Sequence, residues 1–285
     1  MSHVEVDGGL NFLSVTALED LLISLENGAI QEGEYRWIPG VPGHTCGSRW
    51  GALYSVFPCG LLLADHPLVT GSIKKIETQL SPGGIPMNTG WLKDGMWVAI
   101  TLDNLAEVLL RRGEGDRASA YLSATLEHAT PLLSWCEERG PEPGTSLCTG
   151  DRQHLWTPLA VSRFLRDALV MEGGETLHLA IGTDRTWLLS GGKLGVEDAS
   201  TYFGTVSYAL QVDLETGIFS GWIDLTRCRV PRLALHLRLP LGKRLVQVRL
   251  SGAGKWNVQD ECAVWEKPVG RIEITGKVVR ERAGE

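Results

Sequence analysis

The sequence predicts an α+β chain of two parts, helical hairpins over residues 1–172 and an antiparallel β-sandwich over residues 173–285. Three observations carry this. Apolar residues recur at helical spacing up to about residue 172. Past the Gly173-Gly174 pair the apolar period falls to two. Long polar loops alternate with short links between the helical segments, as in hairpins stacked side by side. At 285 residues and 43% hydrophobic content, the chain can fill either one large core or two ordinary ones.

The helical elements follow in order. "TALEDLLISLENG" sets Leu18, Leu21, Leu22 and Leu25 on one stripe, with Gly28 as its stop. "GSRWGALYSVFPCGLLLAD" is apolar nearly all round and predicts an interior helix that Pro58 kinks or breaks. "HPLVTGSIKKIETQL" is more amphipathic. "DGMWVAITLDNLAEVLLRRG" is the clearest helix, with Val98, Leu102, Leu105 and Leu109 on one face and Gly113 at its end. "DRASAYLSATLEHATP" predicts a helix capped by Asp116 and stopped by Pro131. "HLWTPLAVSRFLRDALVME" closes the series, with Thr157-Pro158 as cap and first residue.

The strands are short alternating runs separated by Gly, Pro and Asp: "TLHLAIG", "VSYALQV", "IFSGWIDL", "LALHLRLP", "LVQVRL" and "RIEITGKVV".

Composition narrows the function classes. A net charge of −7 and a pI near 5.6, with no basic run, argue against a nucleic-acid partner. No segment reaches the ~18–20 apolar residues of a membrane span, and the N-terminus lacks a signal peptide's basic start, so no membrane partner and a cytoplasmic location are expected. The six cysteines form no C-x-x-C pair and are expected as reduced thiols; in a secreted protein they would form two or three bridges. The seven histidines show no metal-ligand spacing, and no metal or cofactor is expected. Ten tryptophans suit stacking on flat ligand faces as well as core filling.

Three long polar loops, 30–47, 80–95 and 137–153, each precede an apolar helix, and stacked hairpins would gather them at one rim. The first offers Arg36 and Trp37, with Tyr35 and His44; its plainer reading is surface aromatics packed by prolines. The second offers Trp91 and Asp94, an aromatic wall beside a carboxylate, the pairing that sugars need for their apolar faces and hydroxyls. Its plainer reading makes Asp94 a helix cap with Trp97 packed beneath.

The third, "SWCEERGPEPGTSLCTGDRQHLWTP", is the richest. Trp135, Glu137 and Glu138 are expected to end one helix, and Asp151, Gln153, His154 and Trp156 to begin the next. Two Glu at a helix C-terminus oppose the helix dipole, which points to selection for something other than local stability. The alternative is a solvated acidic turn.

That stretch, a helix ending in "S-x-x-E", a Gly/Pro/Thr-rich loop, a polar cluster and "W-T" opening an apolar helix, resembles the glucoamylase-like six-hairpin glycosidases. "GGIPMNTGWLKDGMW" resembles a loop opening an earlier inner helix of that superfamily. The resemblance implies a partial (α/α)6-type helical-hairpin toroid followed by the β-sandwich, with an oligosaccharide or glycoside as substrate. It implies Glu137 as the catalytic general base and Trp156 as an aromatic lining the sugar site. Glycoside cleavage needs a second carboxyl group to protonate the leaving oxygen, and Asp94 is the best available candidate in this chain, although the resemblance would rather make it a substrate-binding residue. The remaining candidates for substrate binding are Trp91, Trp135, Glu138, Asp151, Gln153, His154, Arg36 and Trp37.

The sequence departs from the pattern in having about six helices where a complete barrel has twelve, and no stretch matches the hairpin that carries the superfamily's general acid. The chain therefore reads as the second half of a barrel, completed by a second chain or a homo-oligomer. Two other classes stand beside the hydrolase: a non-catalytic carbohydrate-binding remnant, and a helical scaffold docking another chain through Leu21, Leu22 and Leu25. Ser-His-Asp chemistry lacks a G-x-S-x-G motif, Cys136 and Cys148 lack an obvious His on a fixed scaffold, and "SGAGKW" lacks the spacing of a phosphate loop.

Overall fold

The computed structural model describes residues 8–44, 51–142, 144–189, 191–252, 254–257 and 261–280, with side chains from residue 15 onward. Five helical elements occur among them: α1 Gly8–Gly28, α2 Pro67–Ile76, α3 spanning 98–111, α4 Gly115–Glu127 and α5 Trp156–Leu169. The chain divides into two compact units, residues 1–108 with 123–160, and residues 109–122 with 161–285.

The helical-hairpin toroid is not what the chain forms. Only 28% of it is helical, and its strands form four sheets, mostly antiparallel. α1 is followed by the hairpin of β1 Ile30–Glu32 and β2 Tyr35–Trp37, not by a partner helix. The apolar segment expected as an interior helix holds one short 3-10 turn, Ala52–Ser55. Its glycines at 51 and 60 take left-handed φ values of 89° and 62°, and Pro58 supplies no N–H to a helix, so apolarity alone does not make it helical. Cys46 and residues 47–50 of that segment lie outside the described residues.

Within the first unit, Ile38, Ala52 and Leu68 form a small core with Leu25, Ala29 and Leu62. The β1–β2 hairpin lies on α2, where Gly71 allows the Arg36 carbonyl an approach that any Cβ would block. Lys75 pairs with Glu32 at 2.5 Å, and its ammonium lies 5.1 Å above the Trp37 ring. The His66 imidazole caps α2 by accepting from the Leu68 N–H. Along α1, Leu25 joins the core, whereas Leu18 and Leu21 are each 44% exposed.

α3 begins as an α turn, Val98–Ile100, passes through a π segment, Thr101–Ala106, and ends as α-helix, Glu107–Arg111. The π register widens the buried arc, so Leu102, Asp103, Asn104, Leu105 and Ala106 are all buried in sequence. Its cap position is Trp97, with no side-chain cap bond, so Asp94 does not cap it.

The second unit contains the β-sandwich. Its strands are β5 Val170–Gly173, β6 Thr176–Leu179, β7 Leu194–Thr201, β8 Gly204–Val212, β9 Ile218–Cys228, β10 Arg232–His236, β11 Lys243–Leu250, β12 Lys255–Asn257, β13 Cys262–Glu266 and β14 Gly270–Arg280. They form two five-stranded sheets, ordered β12-β13-β10-β6-β5 and β11-β14-β9-β8-β7. All pairings are antiparallel except β10 with β6. Alternate residues of both sheets, among them Leu177, Leu179, Tyr208, Leu210, Phe219, Ile223, Leu233, Leu235, Trp265 and Ile274, fill one core.

Each of the six predicted strand runs falls on a strand, and residues 200–275 hold no helix among those described. β5 was expected as the tail of the last helix. Its Val170–Met171 instead pair with Leu179 and His178, where both side chains are buried. β7 reads poorly in sequence because Glu197-Asp198 sit at a register shift between Val196 and Ala199.

Asp116 lies inside the first turn of α4 rather than at its cap, and its carboxylate binds the guanidinium groups of Arg185 and Arg238. The Arg185 bond is the leading cause that holds the Asp116 carboxyl below its ordinary value.

Candidate functional site

Residues 134–156 do not run from a helix end into a loop. α4 stops at Glu127, and Glu138–Arg139 form strand β3, paired with β4 Cys148–Thr149. The ladder extends beyond them through Gly140 N–H to Leu147 O at 3.0 Å, Glu137 N–H to Asp151 O at 2.8 Å, and His154 N–H to Trp135 O at 2.8 Å. A further strip joins it: Met96 N–H donates to Arg139 O at 2.7 Å, and Arg139 N–H to Met96 O at 3.1 Å. The two glutamates therefore stand on extended backbone, so no helix dipole opposes them.

This small sheet brings the 88–97 loop onto the 134–156 hairpin. Adjacent residues of an extended strand project to opposite sides, and the two acids behave accordingly. Glu138 is 0% exposed and turns into the loop. Its Oε2 accepts from Trp91 N–H and its Oε1 from Leu92 N–H, each at 2.9 Å. Gly90 and Gly95 leave room for that carboxylate; a Cβ at either would come within 2.5 or 2.8 Å of its Oε1. Glu138 thus shapes the loop from within and offers no oxygen to a ligand in solvent.

Glu137 is half-buried and lies against Gly150, where a Cβ would overlap its Oε2. That oxygen accepts from Asp151 N–H at 3.3 Å.

With its backbone held by Glu138, Trp91 is 65% exposed and rests on Trp97, ring centroids 4.8 Å apart at 36°. Trp97 is 4% exposed and meets Trp156 edge-on at 5.1 Å, and His154 stands 6.1 Å from Trp156. The indole N–H of Trp156 donates to Asp103 Oδ2 at 2.9 Å, and Tyr54 Oη donates to the same oxygen at 2.7 Å. Asp103, on the π segment of α3, is 3% exposed. A buried carboxyl group thereby fixes the ring that supports Trp97.

Asp94 is exposed, with a left-handed φ of 59°; its N–H donates to Asn88 Oδ1 at 2.8 Å and its Oδ1 accepts from Asn88 Nδ2 at 3.4 Å. Trp135 is buried, with its indole N–H on Thr125 O at 2.9 Å. Asp151 and Gln153 are exposed.

Arg36 and Trp37 belong elsewhere in the unit. Arg36 pairs with Glu26 at 2.8 Å, and Trp37 is 3% exposed beneath Lys75. The structure thus joins the loop of Trp91 and Asp94 to Glu138 and, through Trp97, to Trp156 and His154, while Glu137 lies on the other side of the strand against Gly150 and neither Arg36 nor Trp37 belongs to the set.

Sequence reasoning passed over Asp103 and Tyr54. The available signal was the charge of Asp103 and Glu107 inside an otherwise apolar run, where a buried acid requires a partner. Burial pushes the Cys136 thiol up, with Cys148 adding to the shift, which opposes a thiolate there.

No protein-family model matches this chain, and no curated protein matches it. Among the described residues, no helix is long and apolar enough to cross a membrane.

Proposed function

We propose that the chain is carbohydrate-active, binding a glycoside on the exposed face of Trp91 and hydrolysing it with Glu137 as general base. The observation that carries this reading is the mounted ring. Trp91 presents a flat apolar surface while Glu138 holds its backbone, and Trp97 and Trp156 support its underside. An immobilised indole beside polar side chains suits a sugar, whose C–H face stacks while its hydroxyls bond outward.

Glu137 is half-buried, and its Oε1 has no partner among the described residues, so a proton can be taken from water there. Asp94 Oδ2, on the same loop as Trp91, is the candidate to protonate the leaving oxygen. The likeness of the Glu137-to-Trp156 stretch to glucoamylase-like glycosidases supports the hydrolase reading by sequence pattern alone, since Glu137 stands here on extended chain and not at a helix end.

Non-catalytic binding is the second reading. It is favoured by the projection of Glu137 to the side of its strand opposite Glu138, which faces the Trp91 loop, and by the tie between Asp94 and Asn88.

The test is glycoside turnover and affinity of the purified chain beside Glu137→Gln. Turnover reduced about 10²–10⁴-fold with affinity retained supports the base role. Binding without turnover in both proteins selects the second reading. No binding of any glycoside by the parent chain overturns both.

A further inference from the structure

We propose a separate saccharide site, a groove on the outer face of the β11-β14-β9-β8-β7 sheet that takes a neutral oligosaccharide. The alternation that sends Leu210, Phe219, Ile223 and Ile274 into the core sends their neighbours along each strand outward. On that outer face the register sets Trp222 between Ala209 and Glu273. The next cross-strand row sets Ser220 between Gln211 and Thr275. Ser220 and Thr275 are short, so their row is low beside the indole, and a hollow of about 310 Å³ is lined by the two rows. That is within the size range of small-molecule sites.

The side chains of this groove reach solvent. Gln211, Ser220, Arg271, Glu273 and Thr275 are exposed, as is Lys193 at its rim, and Trp222 is half-buried. The indole is also held in place. Arg271 stands in the row on the other side of Trp222, opposite Asp224, and lays its guanidinium 4.5 Å from the ring centroid. β9, which carries Trp222, is paired on both edges, by β14 and β8, so its backbone is fixed as well.

The polar groups beside the ring are uncommitted. Among the described residues, the Gln211 amide, the Ser220 and Thr275 hydroxyls, the Glu273 carboxylate and the Lys193 ammonium make no hydrogen bond or ion pair within the protein. They lie on three neighbouring strands and the rim, a span of about 10 Å across the strands.

This mixture specifies the ligand class. An anion drawn by Lys193 and Arg271 would meet Glu273, directly across from Trp222. An apolar ligand would find one ring and would cover the hydroxyls and the amide without giving them partners. A polyhydroxylated ligand uses every group: its hydroxyls donate to Glu273 and accept from Lys193 and Gln211, while its C–H face lies against the indole. The groove shares no residue with the Trp91 loop and stands or falls separately from the turnover proposed there.

The experiment is calorimetric titration of the full chain and its Trp91→Ala variant with maltohexaose, cellohexaose, xylohexaose and mannohexaose. The variant removes the other proposed sugar surface, and at least one hexasaccharide is expected still to bind it. Inorganic phosphate and 4-phenylbutanol are expected not to bind. In the Trp91→Ala background, adding Trp222→Ala should weaken that sugar about tenfold or more. Glu273→Gln, which keeps the shape of the side chain, should weaken it several-fold and serves as the test if Trp222→Ala does not fold, as urea denaturation would show. Sugar bound by the parent chain but not by Trp91→Ala would assign recognition to the Trp91 surface alone and overturn the groove. No hexasaccharide bound at millimolar concentration, or binding indifferent to Trp222→Ala and Glu273→Gln, would overturn it equally.

Discussion

The carboxylate of Glu138 and the backbone amide of Trp91 are 2.9 Å apart, although 47 residues separate them in sequence. That bond, with its twin to Leu92, holds an exposed indole on a loop whose glycines would otherwise leave it loose. Glu138 is therefore a positioning residue. Removing it should cost stability first, and function through Trp91.

Glu138→Ala leaves the amides of residues 91 and 92 without acceptors and empties a buried site. The expected loss is about 3 kcal/mol or more, from two charge-assisted bonds and the unpaired donors they leave. Glu138→Gln, which keeps one acceptor oxygen, should lose less. Urea denaturation of the three proteins checks this, and a neutral Glu138→Ala would remove the positioning role.

Trp91→Ala separates the ligand surface from the fold. The ring is 65% exposed, so its removal should change stability by only about 0.5 kcal/mol, as at ordinary surface positions. On the proposed function, glycoside affinity should fall about tenfold or more. Unchanged affinity in a titration would show that the sugar does not stack there.

Gly150→Ala tests the placement of Glu137. Gly150 has φ +71°, and a Cβ would strike the Glu137 carboxylate, so both strain and collision are expected. In a Glu137→Ala background only the strain, about 1 kcal/mol, should remain. A double-mutant cycle measured by denaturation gives the coupling directly, and strict additivity would mean that the two residues do not touch in solution.

The fourth expectation concerns pH. His178 Nδ1 and His236 Nε2 are 3.1 Å apart on neighbouring parallel strands, with rings stacked at 5.4 Å. Burial pushes His236 down from 6.5 to about 3, with His178 and Arg238 adding to the shift, and burial with Arg232 lowers His178. Both rings are thus neutral in the fold, while the unfolded chain takes up protons near pH 6.5. The pair's contribution is intact above that pH and is lost progressively as pH falls toward 3. His236 should cost up to about 1.4 kcal/mol per pH unit in that window, and His178 acts in the same direction. His236→Gln should flatten stability between pH 6.5 and 5, where carboxylates contribute less, and an unchanged slope would exclude the pair as its source.

What the sequence determined by itself was mostly local. Period-two runs such as "VSYALQV" and "RIEITGKVV" show their strands because alternation across a half-buried sheet is written in neighbouring residues. α1, α2, α4 and α5 were legible for the corresponding reason at helical spacing. The hairpin toroid was misread because apolar character in residues 51–65 is compatible with irregular buried chain as well as with an interior helix, and periodicity does not separate the two.

The site divided in the same way. Trp91, Glu137, Glu138 and Trp156 stood out by residue type, but their roles were settled by pairings remote in sequence. Only tertiary structure turned Glu138 inward to the amides of residues 91 and 92, set Glu137 against Gly150, and joined Tyr54 and Trp156 through Asp103. A buried carboxylate takes its partners from whatever backbone and side chains the fold brings within about 3 Å, and that proximity is absent from the order of residues along the chain.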